Sequence, residues 1–574
     1  MKKNPIVESL RPFFKGSPLR TAGRLLFALL ILTGFVCIIY YILGPARGYF
    51  HSDCVDTLYW AYTSVESGLP LNPDFGYAAI LPFGSQIWLV PLIAVFGMKY
   101  STYVAGTIIF AVIYFAALLF LSRRLELTGG WRMMFVTGML FLLSGSEKLR
   151  EMMWEHAIYY SLSILFFTIG SALVLSYLKG KFKWPTMVLL AVLTAGVAID
   201  GAQMIALYLI PLLGAAALER FFSTEAGLRE PRTKRTFSLA VIMIPTTAIG
   251  LGVLYVLTDF GEIGAGYANA YSTYSGSEEW LENLFGVLPN LMSLFGIVIE
   301  NGSSIISVDT VPLMIKMCGL LILLLIPFAM FAVYRKIEDV ALRFFLWAHA
   351  LTSIIILFTV TIGSLGGVNW RLIPILGTAV PTTILSLKWI FDEGDAKIKK
   401  TREASVDQHK LVRKPHLWFM SSVRKRFATV CLMMIFLNVI LTAQGIFRMP
   451  SDYDRDNNLH VLTDFLKEHQ LEYGYSDFWR SQGITVLSDN EVRIRCIAIT
   501  TSGIQKRTYQ NDMKWFEDQP GVDRYFVLLT QSEYGGVVLL PNWEVLEPLL
   551  DEVLEVETGH IVLVFRDNPW KYLE

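Results

Sequence analysis

The chain has 574 residues, 54% of them hydrophobic and only 17% charged, where a soluble domain carries about a quarter charged residues. Several apolar runs reach about 18 residues, enough to cross a hydrocarbon core of roughly 30 Å, so the composition excludes a water-soluble globule. Lysine and arginine balance aspartate and glutamate at 49 each, which leaves no overall basic excess to serve nucleic acid.

In chain order, a basic N-terminus (1–24) leads into LLFALLILTGFVCIIYYILG with no small-residue cleavage site after it. It reads as a retained first helix. Apolar runs then predict spans at 25–44, 101–121, 132–146, 157–178, 185–200, 202–218, 237–257, 312–333, 341–362, 370–390 and 428–445, about eleven in all. With the N-terminus inside, the inner loops collect Arg123 and Arg124, Lys179, Lys181 and Lys183, Arg220, Arg229, Arg232, Lys234 and Arg235, Arg335 and Lys336, and the KIKKTR and VRKRF clusters. The outer loop 258–311 holds Asp259, Glu262, Glu278, Glu279, Glu282, Glu300 and Asp309 and has no basic residue. This positive-inside pattern predicts a cytoplasmic N-terminus and an extracytoplasmic tail. The runs 80–97 and 281–300 read as helices lying at the outer interface, the first broken by Pro82, Gly84 and Pro91.

The first outer loop (45–99) is long and mixed, and 391–427 reads as a basic cytoplasmic tether. From 446 to 574 the pattern changes. ITVLS, RIRCIAIT, RYFVLLT and HIVLVFR predict strands, and VLTDFLKEHQL and WEVLEPLLDEVL predict helices. The expected architecture is an α-helical polytopic membrane protein, with a membrane domain at 25–445 and a C-terminal extracytoplasmic α/β domain. Cys37, Cys318 and Cys431 fall in apolar runs as small core residues. Spacing leaves a Cys54–Cys496 disulfide open without establishing it.

Four stretches carry chemistry. In HSDCVDTLYWAYTSVESG, Asp53 and Asp56 share a face of a helix ending at Gly68, with His51 beside them. They serve either as N-cap and first-turn charge or as general base and cation ligand. In SGSEKLREMMWEHAIYY, Glu147, Glu151, Glu155 and His156 gather where a helix re-enters the membrane. They belong either to a solvated loop paired with Lys148 and Arg150 or to a polar site. Asp200 lies between two apolar runs, capping a tight turn or facing a cavity. Arg371, in GSLGGVNWRLIPILG, is the one basic residue near the outer end of its helix; it either snorkels to lipid or grips a phosphate. No GxxxxGK[ST], GxSxG or HExxH is present, and NGS at Asn301 fits a glycosylation acceptor.

Asp53 and Asp56 in the first outer loop, FGYAAILPFGSQIW after them, the Asn369-Trp370-Arg371 run up to Pro374, and the outer tail together resemble the GT-C superfamily of membrane glycosyltransferases. Protein O-mannosyltransferases, aminoarabinose transferases and oligosaccharyltransferases are members of it. Leu372 stands where tyrosine is common. The resemblance implies an enzyme in a bacterial plasma membrane that uses a polyprenyl-phosphate-linked sugar donor and a glycan, lipid or protein acceptor. Asp53 would act as base, with a divalent cation (Mg or Mn) as a candidate cofactor on it, and Asp56 would assist. Arg371 would hold the donor phosphate, and His51, Glu155, His156 and Asp200 would shape the substrate site. A flippase for lipid-linked glycans, or a non-catalytic envelope assembly protein, is the competing expectation.

Overall fold

A computed structural model describes residues 18–573 apart from 82, 84–85, 182–183, 224–230, 261–272, 303, 365, 408–414 and 501–502. Residues 1–17, Pro82, Gly84, Lys183, Arg229 and Glu262, which carried expectations above, lie outside the described residues.

Among the described residues, eight helices are long and apolar enough to cross a membrane: Thr21–Leu43, Tyr100–Arg124, Tyr160–Leu178, Pro231–Asp259, Thr310–Lys336, Val340–Ile362, Asn369–Gly394 and Val423–Arg448. Each matches an expected span. The other three expected spans fall on shorter elements. Gly129–Phe141 stops at a turn where Leu143 leaves helical geometry, and Trp184–Ile199 has 16 residues. The third begins as a π-helix, Ile205–Gly214, with Pro211 inside it; proline withdraws a backbone donor and forces the wider turn. Tyr160–Leu178 is 89% buried over its apolar window and Asn369–Gly394 83%, against 22% for Pro231–Asp259. The first two therefore form the bundle centre, and the last presents its apolar surface to lipid. Cys318 is exposed on its helix rather than part of the core.

Both expected interface segments are partly helical, as Ile87–Phe96 with Pro91 inside and Glu279–Leu294. The first loop is ordered. A 3₁₀ turn, Ser52–Val55, runs into the helix Asp56–Ser67, which stops at Gly68 in the left-handed region at φ 69°, where glycine carries no Cβ penalty.

In the tail, six strands run β1 (Tyr473–Ser476), β2 (Arg493–Thr500), β3 (Gly503–Lys506), β4 (Tyr525–Thr530), β5 (Leu550–Val556) and β6 (His560–Phe565), in spatial order β3-β2-β1-β4-β6-β5. β1 is parallel to β2 and β4, and the remaining pairs are antiparallel. Alternate residues of β4 enter two cores, Phe526 and Leu528 on one face, Val527 and Leu529 on the other. The sheet is thus covered on both sides. Two expectations fail here. ITVLS is not a strand but the end of helix Phe478–Leu487, started by Asp477 accepting from the Arg480 N–H at 3.2 Å; packing overrides its β-branched composition. WEVLEPLLDEVL is α-helical only over Trp543–Leu546, continues as a 3₁₀ turn over Glu547–Leu549 and becomes strand β5 at Leu550.

The sheet region sits on the first loop. Phe75 and Gly76 bridge to Asp512 and Tyr509, Trp60 Nε1 donates to Gln510 Oε1 at 2.6 Å, and Ser52 Oγ donates to the Trp479 carbonyl at 3.0 Å. Cys54 and Cys496 are separate buried thiols.

Candidate active site

Asp53 occupies the 3₁₀ turn and Asp56 the first residue of the following helix. That helix begins at Val55 with no side-chain cap bond, so the N-cap reading of Asp53 fails. Asp53 is half-buried. Burial raises its carboxyl above the usual range, while His51 and Lys148 pull the other way. Asp56 is buried, and its Oδ1 has no hydrogen-bond partner. Burial and then the Asp53 charge push it well above the ordinary carboxylate range.

The second element is the helix Glu147–Trp154, opened by Ser146, whose Oγ accepts from the Leu149 N–H at 3.1 Å. Its Glu151 is buried, lies 3.2 Å from His51 Nε2 and pairs with Lys148. Burial would raise Glu151, but hydrogen bonding and charge from His51 and Lys148 outweigh it and hold the carboxyl below its usual value. Burial opposes a charge on His51 as well, yet the Cys54 sulfur and the Glu151 carboxylate raise it. Glu155 and His156 follow at the helix end, both buried. The Tyr41 hydroxyl donates to Glu155 Oε1, and burial pushes that carboxyl up to about 8. His156 stands 4.0 Å from Asp56, its ring nitrogens lack hydrogen-bond partners, and burial pushes it down to about 3. It is neutral beside the aspartates. The solvated-loop reading of Glu151, Glu155 and His156 is therefore wrong.

Arg371 sits on a 3₁₀ turn, Asn369–Leu372, and is buried, donating from Nη1 to the Gly366 carbonyl at 3.2 Å. Burial rules out snorkelling into lipid headgroups. Helix Glu147–Trp154 touches this turn, and Lys148 Nζ lies 5.0 Å from the Trp370 ring centre. Lys148 thus connects the two walls: it faces Glu151 and Asp53 on one side and the Trp370-Arg371 turn on the other. Asp200 is buried at the end of Trp184–Ile199 with neither oxygen hydrogen-bonded, and no described contact joins it to the others.

Sequence reading missed the roles of four residues. The sequence offers Lys148 only as a partner of the acids in a solvated loop, whereas its position three residues before Glu151 sets both on one face of a helix that meets a second wall. Tyr41 lay unnoticed at the end of the first span. Tyr509 and Gln510 come from the tail: Gln510 is fully buried with its Nε2 unpartnered, and the Gln510 amide faces the Asp56 carboxylate. No local pattern marks these two.

A divalent cation does not fit well. Among the described residues no three His, Cys, Asp or Glu side chains gather as a ligand set. Glu151 is engaged by His51 and Lys148, and Glu155 by Tyr41.

No protein-family profile matches the chain, and no curated protein does. Solved structures do. ArnT from Cupriavidus metallidurans, bound to undecaprenyl phosphate, aligns over 94% of this chain and 97% of its own, with TM-score 0.52 and 12% identity. The oligosaccharyltransferase AglB from Archaeoglobus fulgidus, with an inhibitory peptide and a dolichol-phosphate, aligns over 94% and 74% with TM-score 0.42 and 12% identity. A complex of the Archaeoglobus fulgidus oligosaccharyltransferase with Zn and sulfate aligns over 94% and 73% with TM-score 0.45 and 12% identity. The eight apolar helices and the end-to-end alignment with ArnT identify an integral, multi-pass membrane protein with the GT-C fold.

Proposed function

We propose that the chain transfers a sugar from a polyprenyl-phosphate-linked donor to an acceptor nucleophile at the extracytoplasmic face of a bacterial plasma membrane. In this reading residues 1–24 are cytoplasmic, 25–445 form the membrane domain and 446–574 lie outside. The observation that carries the reading is the joining of acids and cations through Lys148, which faces Asp53 and Glu151 on one side and Trp370 on the other.

Asp53 is the base. It is partly exposed, and the neighbouring cations His51 and Lys148 oppose the upward push of burial on its carboxyl. It takes the acceptor proton as the acceptor attacks the anomeric carbon. Asp56, deeper and pushed well above the ordinary carboxylate range by burial and the Asp53 charge, orients Asp53 or the acceptor. As the bond from sugar to phosphate breaks, negative charge grows on the departing phosphate, and Arg371 with Lys148 stabilises it. His51, Glu155 and neutral His156 form the polar wall around the sugar. Asp200 keeps only a weaker role in shaping substrate, since nothing described links it to the cluster.

The test uses purified protein in nanodiscs, supplied with polyprenyl-phosphate-linked sugars and an envelope extract as acceptor. Free polyprenyl phosphate, followed by mass spectrometry, accumulates with the wild type and falls at least about 100-fold with Asp53→Asn. A lipid-glycan flippase liberates none, so absence of release from the wild type rejects transfer, and full release from the variant rejects Asp53 as base.

A further inference from the structure

The helix Glu279–Leu294 has two faces. On one, Asn283 Nδ2 donates to the Thr361 carbonyl at 3.3 Å, and the Asn290 amide donates to the Gly367 carbonyl. Toward the helix end, Ser293 Oγ accepts from Asn369 Nδ2 at 3.3 Å, and the Leu294 carbonyl accepts from Ser146 Oγ at 2.7 Å. Asn369 opens the Arg371 turn, and Ser146 opens the helix Glu147–Trp154. One helix therefore holds both walls of the candidate site.

Its other face carries Leu281, Leu284, Phe285 and Leu288, all exposed. The spacing i, i+3, i+4, i+7 sets them in one stripe. The loop that follows leaves Ile305 and Val308 86% exposed and Ile306 94% exposed. No lysine or arginine interrupts residues 273–309. Scattered apolar side chains on a surface need no explanation, but a stripe and a loop tip grouped in this way mark an interaction surface. Position selects the partner. The apolar span Thr310–Lys336 starts four residues after Ile306, and four residues reach about 14 Å at full extension. The loop tip is thereby tied to the membrane boundary. The bonds to Ser146 and Asn369 keep the helix on the side of the carboxylates.

We propose that the helix Glu279–Leu294 and the loop through Val308 form a wedge inserted in one leaflet, an interaction surface whose partner is the acyl region of the lipids on the carboxylate side. An amphipathic helix of this kind sinks its apolar face about 5–10 Å into the boundary between headgroups and acyl chains. Because the opposite face holds the Asn369–Leu372 turn, the wedge fixes the depth of Arg371 relative to the lipid phosphates. This insertion holds whether or not the chain transfers a sugar.

The test reads depth with the full-length protein in nanodiscs. Cys318 is exposed and the other four thiols are buried, so Cys318→Ser provides the background. A nitrobenzoxadiazole label is placed on Ile306→Cys, on Leu288→Cys and, as control, on Val553→Cys of the edge strand β5, which is also exposed. Phosphatidylcholine brominated in its acyl chains should dim the labels at 306 and 288 at least about threefold and leave the control unchanged. Iodide in the buffer should do the reverse. If either position is quenched by iodide as strongly as the control, the wedge stands in water and the proposal is overturned. Protection of either position from both quenchers, which a protein partner on this surface would give, overturns it as well.

Discussion

Glu155 and His156 sit side by side in the chain, and the same burial drives them in opposite directions. A buried carboxyl holds its proton and a buried imidazole refuses one, because each avoids charge where water is absent. Glu155 is pushed up to about 8 from an ordinary 4.5. Its contribution to stability is therefore fully present below pH 4.5 and is lost as pH rises from there to about 8. Glu155→Gln removes the titration and retains an oxygen for the Tyr41 hydroxyl. The thermal midpoint of the variant in detergent should match the wild type near pH 4.5, rise above it steadily as pH climbs, and level off past 8. The slope is at most about 1.4 kcal/mol per pH unit. A difference independent of pH would mean that Glu155 is ionised throughout. Its partner His156 was visible in the sequence as a polar residue abutting an apolar run, but its neutrality was not, because that depends on burial by residues distant in the chain.

At the scale of elements, the decisive feature is the seam between first loop and tail, which joins positions more than four hundred residues apart. Gly76 donates its N–H to the Asn511 carbonyl at 3.0 Å and accepts from the Gln510 N–H at 2.8 Å. A Cβ at Gly76 would come within 2.1 Å of the Thr508 carbonyl oxygen, and backbone cannot swing aside as a side chain can. Gly76→Ala should cost about 1–3 kcal/mol and loosen the seam, read as faster tryptic cleavage within 503–514 and a lower thermal midpoint. Unaltered cleavage would show that the loop can shift without strain. The helices and most strands of this region were legible because their apolar periods are local. WEVLEPLLDEVL misled because its helical period crosses Pro548. ITVLS misled because β-branched residues were drawn into a helix by the core beneath them. The seam, and with it the approach of Gln510 to Asp56, was illegible: strand-like bridges carry no residue code, and a fully buried amide looks like any surface glutamine in a list of letters. Lys148 was hidden for a related reason, since whether a lysine meets solvent or a second wall is decided by the Asn369–Leu372 turn far downstream.

Over the whole molecule, hydropathy predicts about eleven spans, and among the described residues eight of them are helices long and apolar enough to cross a membrane. Charge supplies the direction. Arg335 and Lys336 end one span, Lys179 and Lys181 follow another, and the run from Lys397 to Arg402 lies in the last turns of the helix Ile373–Asp407. All lie at the opposite ends of their helices from the Asp53–Glu151 cluster, so the positive-inside expectation would place that cluster outside. The tail, fastened to the first loop by Trp60–Gln510 and Ser52–Trp479, has to share the side of the carboxylates. One orientation therefore fixes two labels at once. In intact cells, with the native cysteines as background, Ser405→Cys should resist an impermeant maleimide until the membrane is opened, whereas Glu557→Cys, at an exposed position of the tail, should react immediately. If both react, or if the two exchange behaviour, the orientation is inverted or mixed. The carboxylate cluster would then face the cytoplasm, where a sugar donor presented on the outer leaflet cannot reach it.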